Sequence, residues 1–286
     1  MTTIAPPSAP PPLTPGNRTA LRVMLVIAAA VLVVGSVAGL GAAAWGLNSL
    51  RASNDAKDLP GTMRSLVIDA SDVSVHVKSD SKVTTPRAEL RTVGSSSRAQ
   101  QRLNVTTDAG QTRIRVTRDS GRVVGFGSSD LTVTLPPALA AGLFVTTQQN
   151  DGTLTVDADL DRLVARSSDG DVLLNGAVHV VDVSARDGDI ASRKPLSVSE
   201  SFVVDAADGD VAVTFAEPAP RKITATTRDG DVALVLPATG PYLVETRSEY
   251  ATSVEVPETT DPARAVSEVT VRSDNGSIAI DTRRRG

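Results

Sequence analysis

The chain has 286 residues, 29 basic and 33 acidic, with a formal net charge of −4, 2% aromatic residues and no cysteine. Without cysteine there is neither a disulfide framework nor a thiolate metal site. So few aromatics provide no base-stacking nucleic-acid surface and no aromatic-lined ligand pocket. Only two of the basic residues and none of the acidic ones fall within positions 1–50, so the remainder is more acidic, at −6, and does not attract a phosphate backbone.

Residues 1–20 carry Pro6, Pro7, Pro10, Pro11, Pro12 and Pro15 and are expected to be an extended or disordered tail. Residues 21–47 are almost wholly apolar, and Val23 to Leu47 runs 25 residues without a charge. That is long enough to cross a hydrocarbon core of about 30 Å, and it shows none of the polar stripe of a surface helix. Arg18 and Arg22 precede the span without an acid, whereas Arg51 and Lys57 after it are diluted by Asp55 and Asp58. The asymmetry predicts one transmembrane helix with the N-terminus cytoplasmic and the rest extracytoplasmic. The competing reading is a signal peptide cleaved near Ala42-Ala43-Ala44. Gly35 and Gly39, extended by Ala43, are spaced to let two such helices approach, a route to homodimerisation. The plainer reading is ordinary small residues in a membrane helix.

Residues 48–65 are polar and contain Pro60-Gly61, so a stalk is expected there. From Leu66 to residue 281 the chain reads as a β-strand-repeat domain. Its unit is Asp-Gly-Asp followed by alternating apolar residues, at Asp169-Gly170-Asp171, Asp187-Gly188-Asp189, Asp208-Gly209-Asp210 and Asp229-Gly230-Asp231. Asp151-Gly152-Thr153 precedes these and Asn275-Gly276-Ser277 follows. Successive glycines from Gly152 to Gly230 are 18, 18, 21 and 21 residues apart, and a fixed period near 20 marks a repeat architecture. Period-2 apolar positions such as Val172 and Leu174, or Val232 and Leu234, are half-buried strands, and Asp-Gly is a turn signal. Each unit is therefore strand, sharp turn, strand. Parallel stacking of units gives an all-β, single-stack β-solenoid of about 20 residues per coil; antiparallel hairpins give a meander. The solenoid is favoured, because so many hairpins in one open sheet must curl or split.

Worn copies of the turn are read at Ala70-Ser71-Asp72, at Asp108-Ala-Gly110 and near Tyr250-Ala251, and loops at Gly94 to Arg98 and Gly121 to Ser129. A second recurrence, strand-Pro-turn-strand, joins Leu135-Pro136 to Leu143 and Leu236-Pro237 to Tyr242, with a looser copy from Phe215 through Pro218 and Pro220 to Ile223. Residues 282–286, with Arg283, Arg284 and Arg285, are expected to be a solvated basic tail.

The strongest candidate site is the ladder formed by the twelve residues of the four Asp-Gly-Asp corners. Stacked coils would crowd their eight carboxylates along one edge, where calcium would relieve the repulsion. The competing reading takes Asp and Gly as turn geometry, with Arg186 and Arg228, directly before the second and fourth corners, neutralising the edge. This reading is preferred, and no cofactor is expected. Leu236-Pro-Ala-Thr-Gly240 matches a sortase signal, but no uncharged apolar span follows it. His76 and His179 have no acid or histidine at metal-ligand spacing in the sequence, and no Gly-x-Ser-x-Gly elbow occurs. No catalytic residue is therefore assigned. Asn104-Val-Thr106 is a glycosylation sequon, meaningful only where that machinery exists.

The repeated Ser-x-Asp-Gly-Asp-Val-x-Leu strands, the strand-Pro-turn-strand insertions and the single N-terminal apolar helix resemble a bacterial family whose domain is called "putative adhesin" or β-strand repeat, with relatives in Lia-type envelope-stress systems. The resemblance covers about Leu66 to Ile280. It implies an extracytoplasmic β-solenoid with an envelope role and brings no catalytic residues. The expected function is a non-enzymatic, membrane-anchored envelope protein presenting a repetitive β surface to a protein or glycan. The alternative is an envelope-stress sensor that relays an outside signal through its helix.

Overall fold

A computed structural model describes residues 51–94, 101–118 and 127–282. The tail 1–20, the expected membrane helix 21–47 with Gly35 and Gly39, and the basic residues 283–286 lie outside the described residues, as do most positions of the two expected loops. Among the described residues no helix is long and apolar enough to cross a membrane.

The described chain is all-β. In order it forms β1 (Arg51–Asp58), β2 (Ser65–Ala70), β3 (Ser74–Ser79), β4 (Arg87–Gly94), β5 (Gln101–Asp108), β6 (Gln111–Arg118) and β7 (Gly127–Leu135). A single turn of helix, α1 (Pro137–Ala140), follows, then β8 (Phe144–Asp151), β9 (Leu154–Asp157), β10 (Leu160–Asp169), β11 (Val172–Asn175), β12 (Ala177–Asp187), β13 (Ile190–Ala191) and β14 (Ser197–Asp208). The series closes with β15 (Val211–Thr214), β16 (Lys222–Asp229), β17 (Val232–Leu236), β18 (Tyr242–Ser248), β19 (Thr252–Glu255), β20 (Ser267–Asn275) and β21 (Ile278–Thr282).

These strands make two sheets, ordered β1-β4-β7-β3-β9-β11-β13-β15-β17-β21-β19 and β18-β20-β16-β14-β12-β10-β8-β2-β6-β5. From β8 to β17 the chain passes alternately between them. Every even-numbered strand enters the second sheet, every odd-numbered strand enters the first, and all neighbours there are parallel. One face of each strand fills the space between the sheets. Val172, Val211 and Val232 are at most 1% exposed, and alternating buried and exposed residues along β16 and β20 show the same period of two. The core is mainly aliphatic; its aromatic members are Tyr242, fully buried, and Phe202 and Phe215, which meet edge to face at 5.0 Å between ring centroids.

Stacking order departs from sequence order at both ends. The β2–β3 pair lies between β6–β7 and β8–β9, and the β20–β21 pair lies between β16–β17 and β18–β19. The corner at Tyr250-Ala251 is present but outermost, and Asn275-Gly276 stacks directly on Asp229-Gly230.

Three sequence expectations are corrected. Asp108-Ala109-Gly110 is not a corner. It closes the antiparallel β5–β6 hairpin with Ala109 at φ 46° and Gly110 at φ 82°, both left-handed as a tight hairpin turn requires. Asp-x-Gly suits either turn, so the motif alone did not decide. Residues 48–65 are not simply a stalk. Arg51–Asp58 form an edge strand beside β4, Leu59 and Met63 are buried, and Asp55 accepts the Leu103 N–H at 2.9 Å. The strand lacks apolar alternation, so it carries no strand signal. Gly127 to Ser129, expected as loop, open β7.

Candidate functional site

The four Asp-Gly-Asp corners come together on one edge, in register. Asp169, Asp187, Asp208 and Asp229 are successive cross-strand neighbours, continued by Asp151 on one side and Asn275 on the other. The edge is organised in three columns with different physics.

Glycine occupies the middle column because nothing else fits. Gly170, Gly188, Gly209 and Gly230 sit at φ between 123° and 152°, which costs a side-chain-bearing residue dearly. A Cβ on Gly188 would lie 2.6 Å from the carbonyl carbon and oxygen of Gly170. This close stacking lets the ladder run unbroken through the turn. Gly170, Gly188 and Gly209 donate to the carbonyls of Asp187, Asp208 and Asp229 in the next coil at 2.8–3.1 Å, and Val172, Ile190 and Val211 donate to those of Asp189, Asp210 and Asp231 at 2.8–2.9 Å.

The second aspartates form a hydrogen-bonded column. Oδ1 of Asp171 accepts the Asp189 N–H at 3.1 Å, Asp189 accepts that of Asp210 at 2.9 Å, Asp210 that of Asp231 at 2.8 Å, and Asp231 that of Ser277 at 2.7 Å. Each carboxylate thus satisfies one backbone donor of the coil above. At the end of the column the Ser277 N–H and hydroxyl together hold the Asp231 carboxyl below its ordinary pKa.

The first aspartates form a column of like charges. Partial burial, a hydrogen bond with Asp229 and the charges of Asp187 and Asp229 raise the Asp208 pKa, against the nearby Arg228. Asp151 is raised by its hydrogen bond with Asp72, then by burial and the charges of Asp72 and Asp169. Among the described residues neither Arg186 nor Arg228 forms an ion pair with a corner acid, so the expected interleaving of cations reduces to the electrostatic influence of Arg228. Asn275 supplies a neutral rung, donating to Asp229 Oδ1 at 2.8 Å. Inside the corner, Ser167, Thr227 and Ser273, each two residues before the first acid or Asn275, donate to corner glycine carbonyls at 2.9–3.3 Å.

Among the described residues no group of three or more His, Cys, Asp or Glu converges into a metal-sized cluster. In the corners the second acid column is engaged by backbone N–H groups and the first is an acidic row.

One polar row carries no signal in the sequence. His76 Nε2 lies 2.9 Å from Asp157 Oδ2, and Asp157 Oδ1 accepts from Asn175 at 2.9 Å. These residues are 81 and 18 positions apart and meet only because β3 pairs with β9 and β9 with β11. His179 meets Ser199 at 2.6 Å. The sortase-like string forms the bend after β17. Pro237 is buried and its carbonyl accepts the Tyr242 hydroxyl at 2.6 Å, with burial the main cause that pushes the phenol pKa up to about 12.

Two mainly parallel sheets joined by stacked Asp-Gly corners define a coiled-sheet β domain. Residues 63–283 match the family model described as Toastrack DUF4097, and the chain belongs to this family. No curated protein matches it. Among solved structures it is similar to a "putative adhesin" from Bacteroides fragilis, at 12% identity and TM-score 0.45 over 80% of this chain and 97% of that one. It is also similar to a "putative cell adhesion protein" from Clostridium sporogenes, at 8% identity and TM-score 0.41 over 82% and 100%. A third is a "putative lipid binding protein" from Parabacteroides distasonis, at 11% identity and TM-score 0.41 over 81% and 97%.

Proposed function

We propose that this chain is a non-enzymatic, membrane-anchored envelope protein whose β-solenoid faces outward and presents repeated surface rows to a protein or glycan of the envelope. One observation carries the reading. Outward side chains of successive coils line up in single file, as in Val164, Asp182, Val203, Thr224 and Thr270 across the second sheet. Such a face offers many equal contacts along its length, which suits an extended partner better than a small substrate.

The experiment is binding of labelled full-length protein to native envelope fragments. Replacing Val164, Val203 and Thr224 together by Lys is expected to abolish binding and leave the thermal melt in place; undiminished binding would remove this face as the contact. The anchor is tested on intact cells. A cysteine at Thr226 should react with a membrane-impermeant maleimide, and one at Thr3 only after lysis. Labelling of both, or of neither, before lysis overturns the topology.

A further inference from the structure

The two sheets end together at the last coil. β18 is the terminal strand of one and β19 of the other. Among the described residues the chain covers this edge only at its start, where the Tyr242 N–H donates to the Pro257 carbonyl and the Thr259 N–H to Tyr242, both at 2.8 Å. Beyond that point β18 from Leu243 to Ser248 and β19 from Thr252 to Glu255 have no outer strand among the described residues, and their core-side residues Val244 and Val254 are only partly buried. Two large apolar residues are exposed among the described residues, Tyr250 at 64% and Val266 at 46%. Tyr250 lies in the corner of this coil, and the Val266 N–H donates to Pro241 at the coil's opposite end. An unpaired edge bracketed by exposed apolar side chains is an association surface.

The charge pattern selects the occupant. Arg247 lies beside Arg272 in the register of β18 with β20, while Glu245, two residues earlier on the same face, reaches Arg272 at 3.9 Å. The side of this row that faces away from the core holds Glu245 and Arg247, with Thr246 between them on the core side. Paired antiparallel with a copy of itself about Thr246, it sets each Glu245 opposite the other copy's Arg247. The same axis serves the other sheet. Thr246 and Val254 stack on Val271 and Ile280, each the second core-side residue from the Asn275-Gly276 corner. A two-fold axis normal to the sheets can therefore pass through both, placing Val254 against Val254 and Ser253 opposite Glu255.

We propose that this end is a homotypic interface, at which two copies of the chain join edge to edge through β18 and β19 by antiparallel pairing centred on Thr246 and Val254. Closed two-fold pairing uses up both edges and stops at the dimer. The proposal is independent of what the long faces bind.

The test uses the full chain in detergent micelles, carrying Gly35→Leu and Gly39→Leu so that association through the apolar N-terminal segment does not contribute. Sedimentation equilibrium across a dilution series should show a dimer. Glu245→Arg or Arg247→Glu alone sets like charges opposite one another twice per dimer and should weaken it about tenfold. The two together restore opposite signs and should restore the dimer, which also shows that the single variants fold. Directly opposed Cα atoms in an antiparallel pair are about 4.5 or 5.5 Å apart, within disulfide range. In this cysteine-free chain, Thr246→Cys should therefore yield a covalent dimer on mild oxidation and Thr224→Cys, mid-sheet, should not. A monomer at every dilution, a dimer indifferent to either reversal, a double variant as weak as the singles, or equal cross-linking at both positions overturns the interface.

Discussion

Replacing Asp210 by Ala removes the oxygen that accepts the Asp231 N–H, and the expected loss is about 1 kcal/mol of stability in urea unfolding. Asp210→Asn keeps that acceptor and should cost less. The same change in the first column has the opposite sign. Asp208→Asn removes a charge from a repelling row, as Asn275 already does two coils on, and should raise the melting temperature at neutral pH. Its pH signature follows from the raised pKa. The folded value lies above the unfolded one, so the cost is present above the folded pKa and disappears below the unfolded value; the contribution of Asp208 and Asp151 improves as pH falls through the folded pKa. Asp231 runs the other way, losing its contribution as pH falls through its lowered folded pKa. Unfolding midpoints of wild type and Asp208→Asn over mildly acidic pH should converge; parallel curves would show that the row is not electrostatically linked. Gly188→Ala combines a left-handed backbone with a collision against Gly170 and should cost about 3 kcal/mol. Gly142→Ala, with open space around it, should be nearly neutral.

Among the elements, the coils that begin at Gly188 and Gly209 are three residues longer than those before them, and all the excess lies away from the Asp-Gly edge. One residue is absorbed in a bulge, where Val178 pairs with Val198 but Val180 pairs with Ser201, and two in the segment between Ala191 and Ser197. An alanine inserted between Ser199 and Glu200 should therefore be tolerated, whereas one between Gly188 and Asp189 breaks three in-register columns; circular dichroism melts distinguish the two. Phe202→Ala opens a cavity beside Phe215 and should cost about 4 kcal/mol. What the sequence made legible follows the same division. Corners and aliphatic alternation were readable because each residue there answers to a local rule, positive φ or a period of two. β1 was not, because its place depends on Asp55 reaching Leu103 and on β4, and His76–Asp157 was not, because parallel pairing joins residues far apart. Two columns of acids with opposite environments were invisible as well: the tripeptide is symmetric in the sequence, and only the stacking direction distinguishes its ends.

For the molecule as a whole, order in space and order along the chain part company at the last two coils. A chain ended after Asp261 loses the β20–β21 pair, with core residues Val269, Val271, Ile278 and Ile280, and with it the only neighbour that β18 and β19 have within the sheets among the described residues. Hydrogen exchange should then show β18 amides unprotected while β8 to β12 keep their protection, since each coil leans only on its neighbours. Protected β18 amides in that truncated chain would contradict the interposed order.

That order also bears on synthesis. While the ribosome delivers residues in sequence, Tyr242 to Glu255 emerge before the rung they finally rest on exists. They find no rung of their own until Ser267 to Thr282 arrives. A nascent chain halted near Asp261 should consequently hold its earlier rungs and leave its final edge unmade, so that the closing rung registers delivery of Ser267 to Thr282.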